Sequence, residues 1–298
     1  MYPCQLPLNT GQTPVSGAQP CEVRELHEAD RACVLELLAQ DAERNVLLRS
    51  KLMDHGMNHP IHRGRFFGYF TNGQLAGVAL LGHHILLACP DEAIPMMARM
   101  AVEHQVKGHL ILGPRAQVQA MWNELALAGW ETRLVHEQLW YVCQQPQRKL
   151  ERMQLTQASL EHLDAVSDAQ AEMALEASGV DPRVSDPVGF RMRTAERIER
   201  GRIWVKIADG KVVFKADIIG DTPETAYLEG VWTHPEYRGR GIGKSCMTEL
   251  THRLLRTRLS LTLLVDAGET TARGIYESVG FMLRDTYEAR FVKSNNSL

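Results

Sequence analysis

The stretch EGVWTHPEYRGRGIGKS, Glu229 to Ser245, decides how this chain is read. An alternating apolar segment runs into Arg238-Gly239-Arg240-Gly241-Ile242-Gly243, and Lys244 and Ser245 follow. The sequel has helical periodicity, with Ile242, Cys246, Met247, Leu250 and Leu254 on one apolar stripe. A strand therefore enters a glycine-rich turn that opens a helix. Amides at a helix start lack intrahelical partners, and glycines remove the side chains that would hold an anion away. A diphosphate suits such a turn. The helix dipole adds about 0.3–1 kcal/mol for it, supplemented by Arg238, Arg240 and Lys244.

The sequence around this loop is organised in two halves that repeat one order of signals. A polar stretch, Gln144 to Arg152, separates them. Each half starts with helical periodicity, on Leu26, Val34, Leu35 and Leu38 and again on Leu160, Leu163 and Val166. A hairpin follows in each, RFFGYFTNGQLAGVALLG and RIWVKIADGKVVFKADIIG, turning at Asn72-Gly73 and Asp209-Gly210, dipeptides that favour positive φ. Each half closes with a strand, a helix, a Gly-aromatic pair and a last strand. This is the pattern of an internal duplication. Gly73 and Gly129 lie 56 residues apart, whereas Gly210 and Gly280 lie 70 apart. The extra length falls at the glycine loop, which the first half lacks.

Length and composition bound the alternatives. The 298 residues suit one large domain or two of about 150. A hydrophobic fraction of 44%, a charged fraction of 23% and a net charge of -3 are ordinary for a globular chain, and they argue against bulk capture of nucleic acid. Arg191, Arg193, Arg197 and Arg200 lie near one helix without the interleaved aromatics of a single-strand platform. No apolar run is long enough to span a bilayer, and the first twenty residues lack a secretory plan, so we expect a flexible tail and a cytoplasmic protein with no membrane partner. The six cysteines are scattered without a C-x-x-C pair, which suggests reduced thiols. His55, His59 and His62 have suggestive spacing, but Pro60 interrupts the helix that would align them, and no metal is expected.

The order helix, helix, hairpin, strand, Arg238-x-x-Gly241-x-Gly243, helix, strand, helix, Gly-Phe, strand resembles the GNAT acyltransferase superfamily, whose phosphate loop reads Arg or Gln-x-x-Gly-x-Gly or Ala. The resemblance covers Met153 to Val292 strongly and Glu22 to Val142 as a degenerate copy. A dinucleotide-binding fold fits less well, because its glycine motif follows the first strand of a parallel unit, and this one follows an antiparallel meander. The expected fold is α/β (α+β): two GNAT-like domains, each a mostly antiparallel mixed sheet flanked by helices. The expected partition is a tail at 1–21, a degenerate domain at 22–143, a linker at 144–152 and a catalytic domain at 153–298.

The resemblance implies acetyl-CoA as co-substrate, held between AYLEGVWT and LSLTLLVDA. Backbone groups of Val231, Trp232 and Thr233 would engage the pantetheine and thioester, and amides of Arg238, Gly239, Arg240, Gly241, Ile242, Gly243, Lys244 and Ser245 the diphosphate. Direct transfer to an amine needs a neutral nitrogen, and an ordinary lysine-like ammonium is about 4.6 kcal/mol from neutrality at pH 7. Glu229 is the candidate base, with an ion pair to Lys215 as its competing role; strand alternation expects Tyr227, Glu229 and Val231 on one face. Tyr276, in ARGIYESVGF, is the candidate acid toward the leaving sulfur, with simple packing as its alternative. The family's Asn-x-x-Ala before this helix appears as Glu269-Thr270-Thr271-Ala272. The acceptor wall would include Glu172, Glu176, Asp181 and Asp186, which would favour a cationic amine or serve as solvated turn residues. The expected activity is N-acetylation of a small-molecule or peptide amine; the alternative is a non-catalytic acyl-CoA-binding or interaction protein.

Overall fold

The computed structural model describes residues 21–147 and 151–293; the expected tail, apart from Cys21, and the linker residues 148–150 lie outside these. The elements run β1 Cys21–Glu25, α1 Arg31–Ala39, α2 Val46–His55, β2 Gly64–Thr71, β3 Gln74–Gly82, β4 His84–Ala88, α3 Ile94–Glu103, β5 Leu110–Pro114, α4 Arg115–Leu127 and β6 Thr132–Cys143. The same order recurs as β7 Thr156–Gln157, α5 Leu163–Ser178, the short α6 Pro182–Ser185, α7 Pro187–Glu199, β8 Ile203–Ala208, β9 Lys211–Asp221, β10 Thr225–Thr233, α8 Ile242–Leu254, β11 Ser260–Asp266, α9 Thr270–Val279 and β12 Met282–Val292. Both hairpins turn as their dipeptides require, with φ of 53° and 74° at Asn72 and Gly73 and of 50° and 73° at Asp209 and Gly210. The two-residue β7 and the five-residue β1 give no periodic signal.

Two compact units emerge, residues 21–138 with 286–293 and residues 139–285, and they are interleaved in sequence. The first unit's sheet runs β1-β2-β3-β4-β5-β12, antiparallel except for the parallel pair β4 and β5. The second runs β6-β11-β10-β9-β8-β7, with β10 and β11 parallel and β7 through β10 antiparallel. The last strand of each half thus completes the other unit. From Tyr287 to Phe291, β12 pairs with β5, while Leu139, Tyr141 and Cys143 of β6 enter the second unit's core. Residues just beyond β6 are also tied there: the Gln147 N–H donates to the Val279 carbonyl at 2.9 Å.

In the second unit, alternation along the strands builds one core on each face of the sheet. Phe214, Ala216, Leu228, Leu263 and Val265 meet Met247, Leu250 and Val279 of α8 and α9. Ile203 and Val205 meet Val166 of α5 and Ile198 of α7 on the opposite face. The first unit is built likewise, with Val34, Leu38, Leu48 and Leu52 under Phe66, Phe70 and Leu80 on one face, and Met97, Met121 and Leu125 under Phe67, Ala79 and Leu81 on the other.

Candidate active site

The site in the second unit starts from two parallel strands that part company. The register of β10 with β11 runs from Thr225↔Ser260 to Leu228↔Leu263, and both strands continue past it, to Thr233 and Asp266. Beyond Leu228, then, neither strand supplies the other's ladder, and backbone groups on the facing edges must find other partners. The loop follows immediately. Gly239 and Gly241 have φ of 74° and 77°, and a Cβ on either would meet nothing within 4 Å. Those are the conformations only glycine adopts cheaply, next to open space a side chain would fill. The first intrahelical bond of α8 runs from the Ser245 N–H to the Gly241 carbonyl at 3.0 Å, leaving the amides of Ile242, Gly243 and Lys244 at the mouth without intrahelical partners.

The other loop residues take distinct parts. Gly243 fits the strand end closely, since a Cβ there would lie 2.9 Å from Thr233 Oγ1. Arg238 is exposed and its Nε donates to the Thr233 carbonyl at 3.0 Å, pinning the loop's entry. Arg240 lies over the Tyr237 ring at 5.4 Å, and Ser245 is buried under the helix. This combination of splayed strands, open cradle and free amides fits a nucleotide diphosphate and its pantetheine arm. The counterpart in the first unit does not. There α3 is entered through Pro90, Asp91 and Glu92 with Pro95 in the first turn, so two carboxylates occupy the helix start. Gln117 also fills the corner, donating to the Cys89 carbonyl and to Asp91 at 3.1 and 3.0 Å.

Glu229 and Tyr276 lie on opposite faces of the sheet. Leu228 belongs to the α8–α9 core, so Glu229 points to the α5–α7 face, where it is exposed and opposite Asp217 in the register. Val231 does not share that face as simple alternation expects. Glu229↔Asp217 is followed by Trp232↔Lys215, an extra residue on β10, and Gly230 takes φ of 61° in the resulting bulge. Val231 consequently packs against the α8–α9 core and Trp232 against the α5–α7 core.

Tyr276 is buried in the α8–α9 core, its ring edge-on to Phe281 at 6.0 Å. Burial first, and the Glu269 carboxylate second, push its phenol well above the ordinary tyrosine range, so it stays protonated. Lys215 is fully buried, and its Nζ reaches Asp217 Oδ1 at 2.8 Å, Gln170 Oε1 at 2.8 Å and the Gly230 carbonyl at 2.9 Å. Desolvation pulls its pKa down, against which Asp217 acts as the main opposing influence. The acceptor-wall acids divide. Asp181 and Asp186 cap α6 and α7 and pair with Arg183 and Arg193, while Asp164 and Asp168 pair with Arg191 and Arg183. Glu172 and Glu176 remain exposed on α5.

In the first unit the rings of His55, His59 and His62 do gather, with centroids 5.0–6.4 Å apart. His62 Nε2 is bonded to the Gly56 carbonyl and His59 Nδ1 accepts from the Ile61 amide. Among the described residues no group of three or more His, Cys, Asp or Glu is arranged to hold a metal, and no helix is long and apolar enough to cross a membrane.

Residues 169–281, which hold the splayed strands, the loop and most of the wall, match the family model described as "Acetyltransferase (GNAT) family". The chain carries a GNAT acetyltransferase domain. That family uses acetyl-CoA as co-substrate, and the matched domain supports an acyltransferase. No curated protein matches the chain. Among solved structures, a GNAT-family acetyltransferase from Colwellia psychrerythraea is 17% identical, covers 91% of this chain and 99% of its own, and superposes with a TM-score of 0.57. A GCN5-related N-acetyltransferase from Sphaerobacter thermophilus is 15% identical over 93% of this chain and 96% of its own, with a TM-score of 0.58. A tandem GNAT protein from the clavulanic acid biosynthesis pathway is 15% identical over 94% of this chain and 100% of its own, with a TM-score of 0.56. At such identities the likeness speaks to the fold: a tandem GNAT architecture along nearly the whole chain.

Proposed function

We propose that the GNAT domain moves an acetyl group from acetyl-CoA directly to a primary amine of a small molecule or peptide, and that the first unit binds no CoA. The observation that carries this reading is the parting of β10 and β11 beyond Leu228 and Leu263, with the open glycine cradle at its mouth. Amides from Gly239 to Lys244 hold the diphosphate, those of Arg238 and Ser245 being already bonded to the Pro235 and Gly241 carbonyls, and backbone groups of Val231, Trp232 and Thr233 meet the pantetheine and thioester carbonyl.

The positions of the two side chains support a division of labour across the sheet. The amine approaches on the α5–α7 face, where Glu229 takes its proton directly or through one water, and the exposed Glu172 and Glu176 favour a cationic acceptor. The C–N bond forms as the C–S bond breaks, and Tyr276, on the α8–α9 face, returns a proton to the departing sulfur. Lys215 already has three acceptors within 2.9 Å, so its charge is satisfied without Glu229. The test is a panel of amines with acetyl-CoA, followed by thiol release. CoA release dependent on one amine class, lost in Tyr276→Phe, is the expected result. Tight acetyl-CoA binding with no release on any amine would support the non-catalytic alternative instead.

A further inference from the structure

One buried group near the site has no part in the proton transfers above. Lys215 sits on β9 directly beneath the bulge of β10, with no exposed surface. Three acceptors surround its Nζ at 2.8–2.9 Å: Asp217 on its own strand, Gln170 from α5 and the Gly230 carbonyl. Gln170 and the Gly230 carbonyl accept its hydrogen bonds and the buried Asp217 carboxylate is its ion-pair partner, so this surrounding calls for the charged form. Arg197 Nε lies 3.7 Å from the other Asp217 oxygen, and Glu229 is the next carboxylate facing the cluster. The cluster also accounts for the glycine, because a Cβ on residue 230 would fall 2.8 Å from Lys215 Nζ and 3.0 Å from Gln170 Oε1.

The Gly230 carbonyl and the Val231 N–H belong to one peptide plane. In a trans peptide they point in opposite directions, so fixing one fixes the other. Lys215, on β9, draws the carbonyl toward itself, so the Val231 N–H of the same trans peptide points the other way, toward the β11 side of β10 where the strands part. Neither Gly230 nor Val231 has a register partner on β9, and the β11 register ends at Leu228. A cation on the carbonyl end of a peptide also draws electron density from its nitrogen, making the N–H a stronger donor.

We propose that Lys215 is a positioning residue for acyl transfer: anchored by Asp217 and Gln170, it grips the Gly230 carbonyl and so aims and strengthens the Val231 N–H as a donor to the thioester oxygen. The proposal rests on the reading of the splayed strands as the acyl-CoA site. A donor aimed in advance at an oxygen that gains charge costs no reorganisation when the charge develops. Here the aim is set from behind, by a side chain that touches neither substrate.

The test uses the full chain, acetyl-CoA carrying 13C at the acetyl carbonyl, and unlabelled CoA. The infrared carbonyl band of bound acetyl-CoA should lie below that of the free thioester in the wild type. Lys215→Met should return most of that shift while leaving the affinity for CoA, which has no acyl oxygen, nearly unchanged. With any amine that serves as acceptor, kcat should fall about tenfold or more at constant KM for acetyl-CoA. Because Lys215→Met strands a buried carboxylate, Lys215→Met with Asp217→Leu removes both charges and should fold and bind CoA with the same lost band shift. A wild-type band shift retained in the double variant, or no shift in the wild type despite binding, overturns the clamp alone. Failure of the wild type to bind acetyl-CoA would remove the site and the clamp together.

Discussion

Gly241→Ala separates the cost of a backbone conformation from the loss of a ligand site. Gly241 caps α8 at φ 77°, ψ -3°, and its absent Cβ has nothing within 4 Å, so alanine meets no protein atom. The change therefore costs the folded state only the left-handed conformation, about 1–2 kcal/mol, partly offset by the lower entropy of the unfolded chain. A net loss of about 1 kcal/mol corresponds to roughly 2–4 °C in the melting of a unit this size. Binding should suffer far more. The methyl group stands in the cradle and keeps phosphate from the free amides; one charged hydrogen bond is worth about 1.5–3 kcal/mol, or about 10- to 100-fold in CoA affinity. Gly210→Ala is the matched control, since Gly210 has φ of 73° with nothing within 4 Å but lies in the β8–β9 turn. Calorimetric titration with CoA and a thermal melt of both variants decide the matter. Equal melting losses with CoA affinity reduced only in Gly241→Ala are expected; unaltered CoA affinity in Gly241→Ala would refute the placement of the diphosphate.

Other perturbations test the remaining parts. Tyr276→Phe should lower kcat by about 10²-fold or more with little change in CoA affinity, as calorimetry and steady-state rates would show. Because burial raises the folded pKa of Tyr276, its contribution to stability is complete below the ordinary tyrosine value of about 10 and is lost as pH rises through the folded value; Tyr276→Phe should therefore shift alkaline unfolding upward. Glu229→Gln should remove the acidic limb of the kcat/KM profile if the carboxylate takes the amine's proton, and an unchanged profile would argue against that role. Tyr141→Ala should destabilise the second unit by about 3–5 kcal/mol although the residue is encoded in the first half, because Tyr141 is fully buried there and donates to Glu277 at 2.6 Å. Hydrogen exchange would localise the loss; protection falling in residues 21–138 and not in 139–285 would contradict the strand exchange.

What the sequence makes legible is set by the range of the interactions that encode it. The glycine loop is local: its φ angles, its helix cap and its open cradle follow from residues within one turn of each other, and RGRGIG announces all three. Both hairpins are local in the same sense. The exchange of β6 and β12 is not, because a strand's apolar alternation specifies that it be paired and buried but names no partner. The bulge at Gly230 lies between these extremes. Strict alternation puts Glu229 and Val231 on one face, and only a partner strand with one residue fewer, Lys215 to Asp217 against Glu229 to Trp232, reverses that. A signal existed nevertheless: VVFKADII carries lysine and aspartate at alternate positions of a strand that is otherwise apolar on both faces. Two opposite charges so placed are buried together or the strand is not buried at all. Once their burial is granted, the third acceptor of the ammonium must come from a neighbouring backbone or helix. A glycine in the facing strand, where a Cβ would strike that ammonium, is the residue that lets the backbone come close enough to be one.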